Sequence, residues 1–246
     1  MARIRIYDDA GVRYLQFGRH WLQGAMRLSH PWSLELGYTR DMMLPLLLRG
    51  GDWPRSVLQI GLGAGSITRF LHRYRPRARL TVVELDAEVI LNAWPLFRLP
   101  PESDRLEVVH DDGYRYLRCT RRRFDLILVD GFDARARAGV LDTPRFYRAC
   151  RARLTGSGML AANLVGTRQG KAASIERVSQ AFDGRALPLP PRDSNTVVLA
   201  ALGARIHKGA DRLAREAAAL ESSSGLDLAP VLQRLLRATA GPTLVL

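Results

Sequence analysis

Two carboxylates, Asp130 and Asp133, stand three residues apart directly after the apolar run 124–129. Acids spaced in this way at the end of a strand can hold a cationic amine and take its proton. An alkyl amine with a pKa of about 10.4 must shed a proton before it attacks carbon, at a cost near pH 7 of roughly 4–5 kcal/mol. A carboxylate placed to accept that proton eases the step, while a second one holds the cation. No arginine or lysine falls between the two acids to repel it. The plain alternative is a solvated loop with both charges in water.

A second constellation lies upstream. Residues 57–66, VLQIGLGAGS, read as a buried strand running into a glycine-rich turn that opens a helix. Glu84 ends the next apolar strand, 23 residues after Gly61. An acid at that place can take both hydroxyls of a ribose, and Gly61, Gly63 and Gly65 let a nucleoside approach the backbone. The sixth position of a dinucleotide fingerprint should be glycine but is Ser66, which disfavours a dinucleotide and favours S-adenosylmethionine or a relative. Asp111-Asp112-Gly113 follows a third strand, 106–109. Asp112 there can accept from an adenine amino group while Gly113 lets a backbone amide reach the ring. Asp112 can equally cap the helix that begins at Gly113, and both roles hold if Asp111 does the capping.

These residues need a sheet to bring them together. Strands are expected at 56–60, 80–84, 106–109, 124–129, 157–163, 185–189 and 195–201. Helices are expected near 66–74, 87–94, 113–120, 143–154 and 169–182, the fourth opened by Thr143-Pro144 as cap and first turn. Such alternation implies a parallel, doubly wound sheet covered on both faces, with ligands at the carboxyl ends of its strands. Before it, runs 3–7 and 12–17 flank a hairpin turn at 8–11, and a short run at 20–22 leads to Gln23-Gly24. An apolar helix at 38–48, interrupted by Pro45, follows. Two tail helices, 210–221 and 229–238, are expected to pack on the sheet. The division is therefore 1–37, a β-hairpin domain, and 38–246, a Rossmann-like catalytic domain with C-terminal helices.

Composition narrows the classes. A chain of 246 residues buries roughly three-quarters of its unfolded surface and needs no disulfides to build a core. Cys119 and Cys150 are far apart and lack metal-ligand spacing, and the five histidines are scattered. The reading is reduced thiols in a cytoplasmic protein, with no metal. There is no signal segment and no apolar run of membrane length. The net charge of +13 raises nucleic acid as a partner. Arginine supplies nearly all of that charge and is spread along the chain, however, and no aromatic residues interleave with Arg121-Arg122-Arg123. A nucleic-acid surface is disfavoured.

Taken together, residues 12–165 resemble the polyamine aminopropyltransferases, the family of spermidine synthase. The resemblance implies a seven-stranded, mostly parallel, S-adenosylmethionine-methyltransferase-like Rossmann fold behind a small N-terminal β domain, and a homodimer. It implies transfer of an aminopropyl group from decarboxylated S-adenosylmethionine to a small-molecule amine, releasing methylthioadenosine. Gln23 then matches the glutamine that closes the β domain over the donor, and Tyr38 the tyrosine near the amine. Glu84 matches the ribose-binding acid, Asp112 and Gly113 the adenine-binding pair, and Asp130 and Asp133 the gatekeeping acids, Asp130 being the base.

The chain departs from the family pattern at three places. Ala64 stands where the glycine turn usually has an aspartate for the donor's ammonium, Thr39-Arg40 follows the tyrosine, and the gate reads Gly131-Phe132 and Ala134. A charge pair at 4 Å is worth about 4 kcal/mol gross at an effective dielectric near 20, so losing the aspartate weakens the family's donor. A methyltransferase using intact S-adenosylmethionine, its carboxylate paired with Arg40, and a diverged non-catalytic binding protein are the other two readings.

Overall fold

The computed structural model describes residues 4–18, 21–132, 137–239 and 243–246. Three antiparallel strands come first, β1 (Ile4–Asp9), β2 (Val12–Phe17) and β3 (Trp21–Arg27), in that order across the sheet. The hairpin turn narrows to Ala10-Gly11, both with positive φ, and Asp8 and Asp9 stay in the strand opposite Arg13 and Val12. β3 runs well past the expected residue 22. Leu15 pairs with Gly24 and Gln16 with Leu22, so Gln23 is the extra residue of a β-bulge, a device that re-aims a side chain.

The expected helix at 38–48 is two, α1 (Gly37–Asp41) and α2 (Pro45–Arg49). Pro45 has no N–H to continue the first helix and sits at the start of the second. The alternating region then follows: β4 (Ser56–Ile60), α3 (Ser66–Tyr74), β5 (Arg79–Glu84), α4 (Ala87–Phe97), β6 (Leu106–His110), α5 (Gly113–Cys119), β7 (Phe124–Val129), α6 (Pro144–Arg153), β8 (Leu154–Val165), α7 (Arg168–Ala181), β9 (Ala186–Pro188) and β10 (Asn195–Ala201). The strand order is β6-β5-β4-β7-β8-β10-β9, parallel except for β10, which runs against both neighbours.

Both faces of this sheet are dry, which is why its strands read as continuous apolar runs. Val57 faces one core and Leu58 and Ile60 the other, and in β7 Leu126 and Leu128 oppose Ile127 and Val129. Strand order reverses between β4 and β7, so a crevice opens at their carboxyl ends.

The tail holds β11 (His207–Gly209), α8 (Ala210–Ser224), α9 (Ala229–Ala238) and β12 (Thr243–Val245), with β11 and β12 paired antiparallel. α8 runs past the expected residue 221 through Ser222-Ser223-Ser224 and ends at Gly225 with φ +69°. It packs against β11, α2 and α9, so the tail is seated on the α2 side of the molecule.

Candidate active site

A cleft of about 310 Å³ opens at the carboxyl ends of β4, β5, β6 and β7. Its lining includes Gln23, Tyr38, Gly61, Gly63, Glu84, Asp112, Gly113 and Asp130. Gly65 is not part of that lining. With φ +68° it caps α3, and a Cβ there would lie 2.9 Å from Leu99 Cδ1. Asp133 lies outside the described residues.

Asp130 leaves the tip of β7 and is held from two sides. Tyr38 Oη donates to its Oδ2 at 3.0 Å, and Asn163 Nδ2 donates to its Oδ1 at 2.9 Å. Burial pushes the carboxyl above its usual range, and the two donors oppose that rise. Burial, with the Asp130 charge next, pushes the Tyr38 phenol well up, so it remains a donor.

Asn163, on β8, was not singled out from the sequence. It is the one carboxamide in the apolar stretch 159–165, a polar residue inside a strand buried on both faces. Its Oδ1 is buried, has no hydrogen-bond partner, and belongs to a residue on the cleft wall. A buried acceptor left open at a cavity is suited to a donor carried in by a ligand.

The nucleoside side is organised by Glu84. Its Oε2 accepts from Leu62 N at 2.7 Å and its Oε1 from Asp86 N at 2.9 Å, tying the glycine turn to the end of β5. Burial raises this carboxyl too, against those backbone donors. Asp112 caps α5 through Arg115 N at 2.8 Å, while Asp111 accepts from Arg115 Nε at 2.5 Å. The capping role therefore falls to Asp112, not to Asp111. Ile60 needs Gly113 where it is, since a Cβ there would sit 2.5 Å from Ile60 Cγ2.

Gly61 has φ +93°, and a Cβ on it would collide with the Asp130 carbonyl oxygen. Gly61→Ala should therefore cost at least about 2 kcal/mol from strained φ and overpacking. That is a fall of roughly 4–8 °C in melting temperature for a chain of this size. Thermal unfolding within 1 °C of the parent would mean that the two strand tips can part freely.

Position 64 shows what alanine does there. Its methyl is buried against Gly24 of β3, where an added Cβ would lie 2.5 Å away, and its carbonyl accepts from the buried Arg69 guanidinium. The site of the missing aspartate is thus a contact between the glycine turn and β3. Arg40 also stands outside the lining of the cleft.

Among the described residues no helix is long and apolar enough to cross a membrane, and no group of three or more His, Cys, Asp or Glu is placed to hold a metal ion.

Known proteins of similar sequence fall in one group, while solved structures of similar shape include methyltransferases as well as spermidine synthases. Residues 35–180 match the model of the spermine/spermidine synthase domain. A polyamine aminopropyltransferase of Neisseria meningitidis serogroup A is 35% identical over 225 residues, covering 91% of this chain and 85% of that protein. One from Chromobacterium violaceum is 34% identical over 249 residues, covering 100% and 95%. A probable spermidine synthase from Corynebacterium glutamicum superposes with a TM-score of 0.75 at 18% identity, covering 98% and 86%, a likeness of fold.

Proposed function

The chain belongs to the spermine/spermidine synthase family, and from that premise we propose that Asp130 is the base of an aminopropyl transfer carried out in the cleft. The protein is a transferase of the polyamine aminopropyltransferase kind. Decarboxylated S-adenosylmethionine is the donor and a polyamine the acceptor. The observation that carries the site assignment is the Tyr38–Asp130–Asn163 arrangement, an enclosed carboxylate with an open acceptor beside it.

In this reading Glu84 takes the ribose hydroxyls with the lone pairs its backbone donors leave open. The second oxygen of Asp112 accepts from the adenine amino group, and Gly113 presents its amide to the ring. Gln23, thrown out of β3 by its bulge, closes over the donor. The acceptor's ammonium lies against Asp130 and Asn163 Oδ1, and Asp133 holds the amine further along. Asp130 takes a proton, the freed nitrogen bonds to the donor carbon beside sulfur, and the carbon–sulfur bond breaks to release methylthioadenosine. A carboxyl raised by burial is a better base near neutral pH than a solvated one. Holding both reactants in line contributes much of the rate. In the same reading residues 1–37 form a β domain, the protein is cytoplasmic, and the family resemblance implies a homodimer. The methyltransferase alternative that Ala64 left open is not favoured by the relatives.

Purified protein incubated with decarboxylated S-adenosylmethionine and putrescine, or a longer polyamine, should release methylthioadenosine, followed by chromatography. Release with none of these amines would overturn the assignment, and methyl transfer from intact S-adenosylmethionine would replace it.

A further inference from the structure

We infer that the cluster Arg192–Asp41–Arg234, built on a buried carboxylate, is a positioning device for the amine side of the cleft, so that the C-terminal helix α9 helps to set how the acceptor is held. This rests on the aminopropyl-transfer reading above. Arg192 and Arg234 both lie outside residues 35–180, the stretch that matches the domain model.

The starting point is the weakness of α1. Five residues are too few to hold a helix by themselves, and no side chain caps its N-terminus. Yet it must present Tyr38 to Asp130, 92 residues away in sequence. What holds it is Asp41, only 3% exposed, at its end. Arg192 grips that carboxylate with a fork, Nε to Oδ2 at 3.1 Å and Nη2 to Oδ1 at 3.3 Å. Arg234 of α9 adds Nη2 to Oδ2 at 2.7 Å. The stem of Arg192 passes over Gly37, where any Cβ would strike its Cδ. Glycine immediately before Tyr38 is therefore what lets Arg192 reach Asp41.

Arg192 also shapes a neighbouring wall. Its backbone pairs with Asn195 in both directions, at 2.9 and 2.8 Å, and the turn so closed brings Ser194 and Asn195 to the cleft. One carboxylate thus ties the Tyr38 helix to a neighbouring wall of the same cavity and both of them to α9. That helix is itself seated by Val231, Leu232 and Leu235 in the core. Removing either arginine leaves the buried Asp41 carboxylate with one cationic partner in place of two, so the first consequence is a shift of α1. A misplacement of about 1 Å in a catalytic constellation can cost on the order of 10²-fold.

The test is steady-state kinetics with both substrates varied, alongside calorimetric binding of methylthioadenosine. Arg234→Met should lower kcat/KM for the amine by roughly 10–100-fold, while the methylthioadenosine Kd stays within about twofold. Arg234→Lys should recover most of that loss, because Arg234 offers Asp41 a single nitrogen, whereas Arg192→Lys should not, because the fork is lost. In a Tyr38→Phe background the Arg234→Met penalty should shrink below about threefold, as expected when two changes act through one contact. Two outcomes would overturn the inference: unchanged amine kinetics in Arg234→Met with only a lower melting temperature, or equal losses with and without the Tyr38 hydroxyl. Should Arg234→Met fail to fold, the two lysine variants still decide, since equal behaviour of both is not expected. A parent enzyme that moves no aminopropyl group would instead sink the functional reading itself.

Discussion

Asp130→Asn should fold, bind methylthioadenosine as the parent does, and lose turnover by about 10²–10⁴-fold, the range that a positioned proton acceptor contributes. It should also melt at a higher temperature than the parent at pH 7. The two effects share one cause. Burial holds the Asp130 carboxyl above its usual range despite donation from Tyr38 and Asn163, so the fold disfavours the charged form. A carboxyl whose pKa is higher folded than unfolded burdens the native state in full above the folded value, and not at all below the unfolded one. Asparagine is neutral throughout and removes that burden near neutrality. The melting difference should close as pH falls toward the ordinary carboxylate range. For the parent, kcat/KM should decline as pH drops through the raised Asp130 value, because the base must be ionised to act. Turnover of the variant above about a tenth of the parent's would show that the proton leaves by another route. A lower melting temperature at pH 7 would show that the two donors outweigh burial.

The sequence makes legible those features whose signal is local. Glu84 and Asp130 end apolar runs on strands buried from both faces, so their places at the carboxyl edge follow from the run and from the parallel order. The glycine turn was equally legible, because strand, turn and helix are contiguous in it. Gln23 was expected after a short strand and sits inside a longer one, since the bulge that turns it arises from pairing with β2, eight residues away. Asn163 is a single polar residue in an apolar strand, and only Asp130 at the tip of the neighbouring β7 gives it a partner. Gly24 and Ala64 are uninformative singly, but in contact they explain why small residues occupy both places. The pairs β11–β12 and Arg234–Asp41 join residues 34 or more positions apart, beyond the reach of any periodicity.

Glu84→Ala is the corresponding experiment for the nucleoside half of the cleft, and it separates two jobs that one carboxylate combines. Its oxygens accept from the amides of Leu62 and Asp86, and an ionised carboxylate has lone pairs left for further donors. If both ribose hydroxyls use them, each bond to the charged group is worth about 1.5–3 kcal/mol, and the two together at least about 10²-fold in affinity. Alanine also leaves the Leu62 amide without its acceptor at the glycine turn, which adds to the loss. Glu84→Gln keeps one acceptor but sets an amide N–H₂ against a backbone N–H, so it should fall between the parent and alanine. The sign with pH follows from burial, which holds this carboxyl above its usual range. Methylthioadenosine binding to the parent should weaken as pH falls through that raised value, and the alanine variant should lack this dependence. Calorimetry at two pH values reads all three. An alanine variant whose Kd stays within about threefold of the parent would mean that Glu84 only fastens the turn, and that the ribose is held elsewhere.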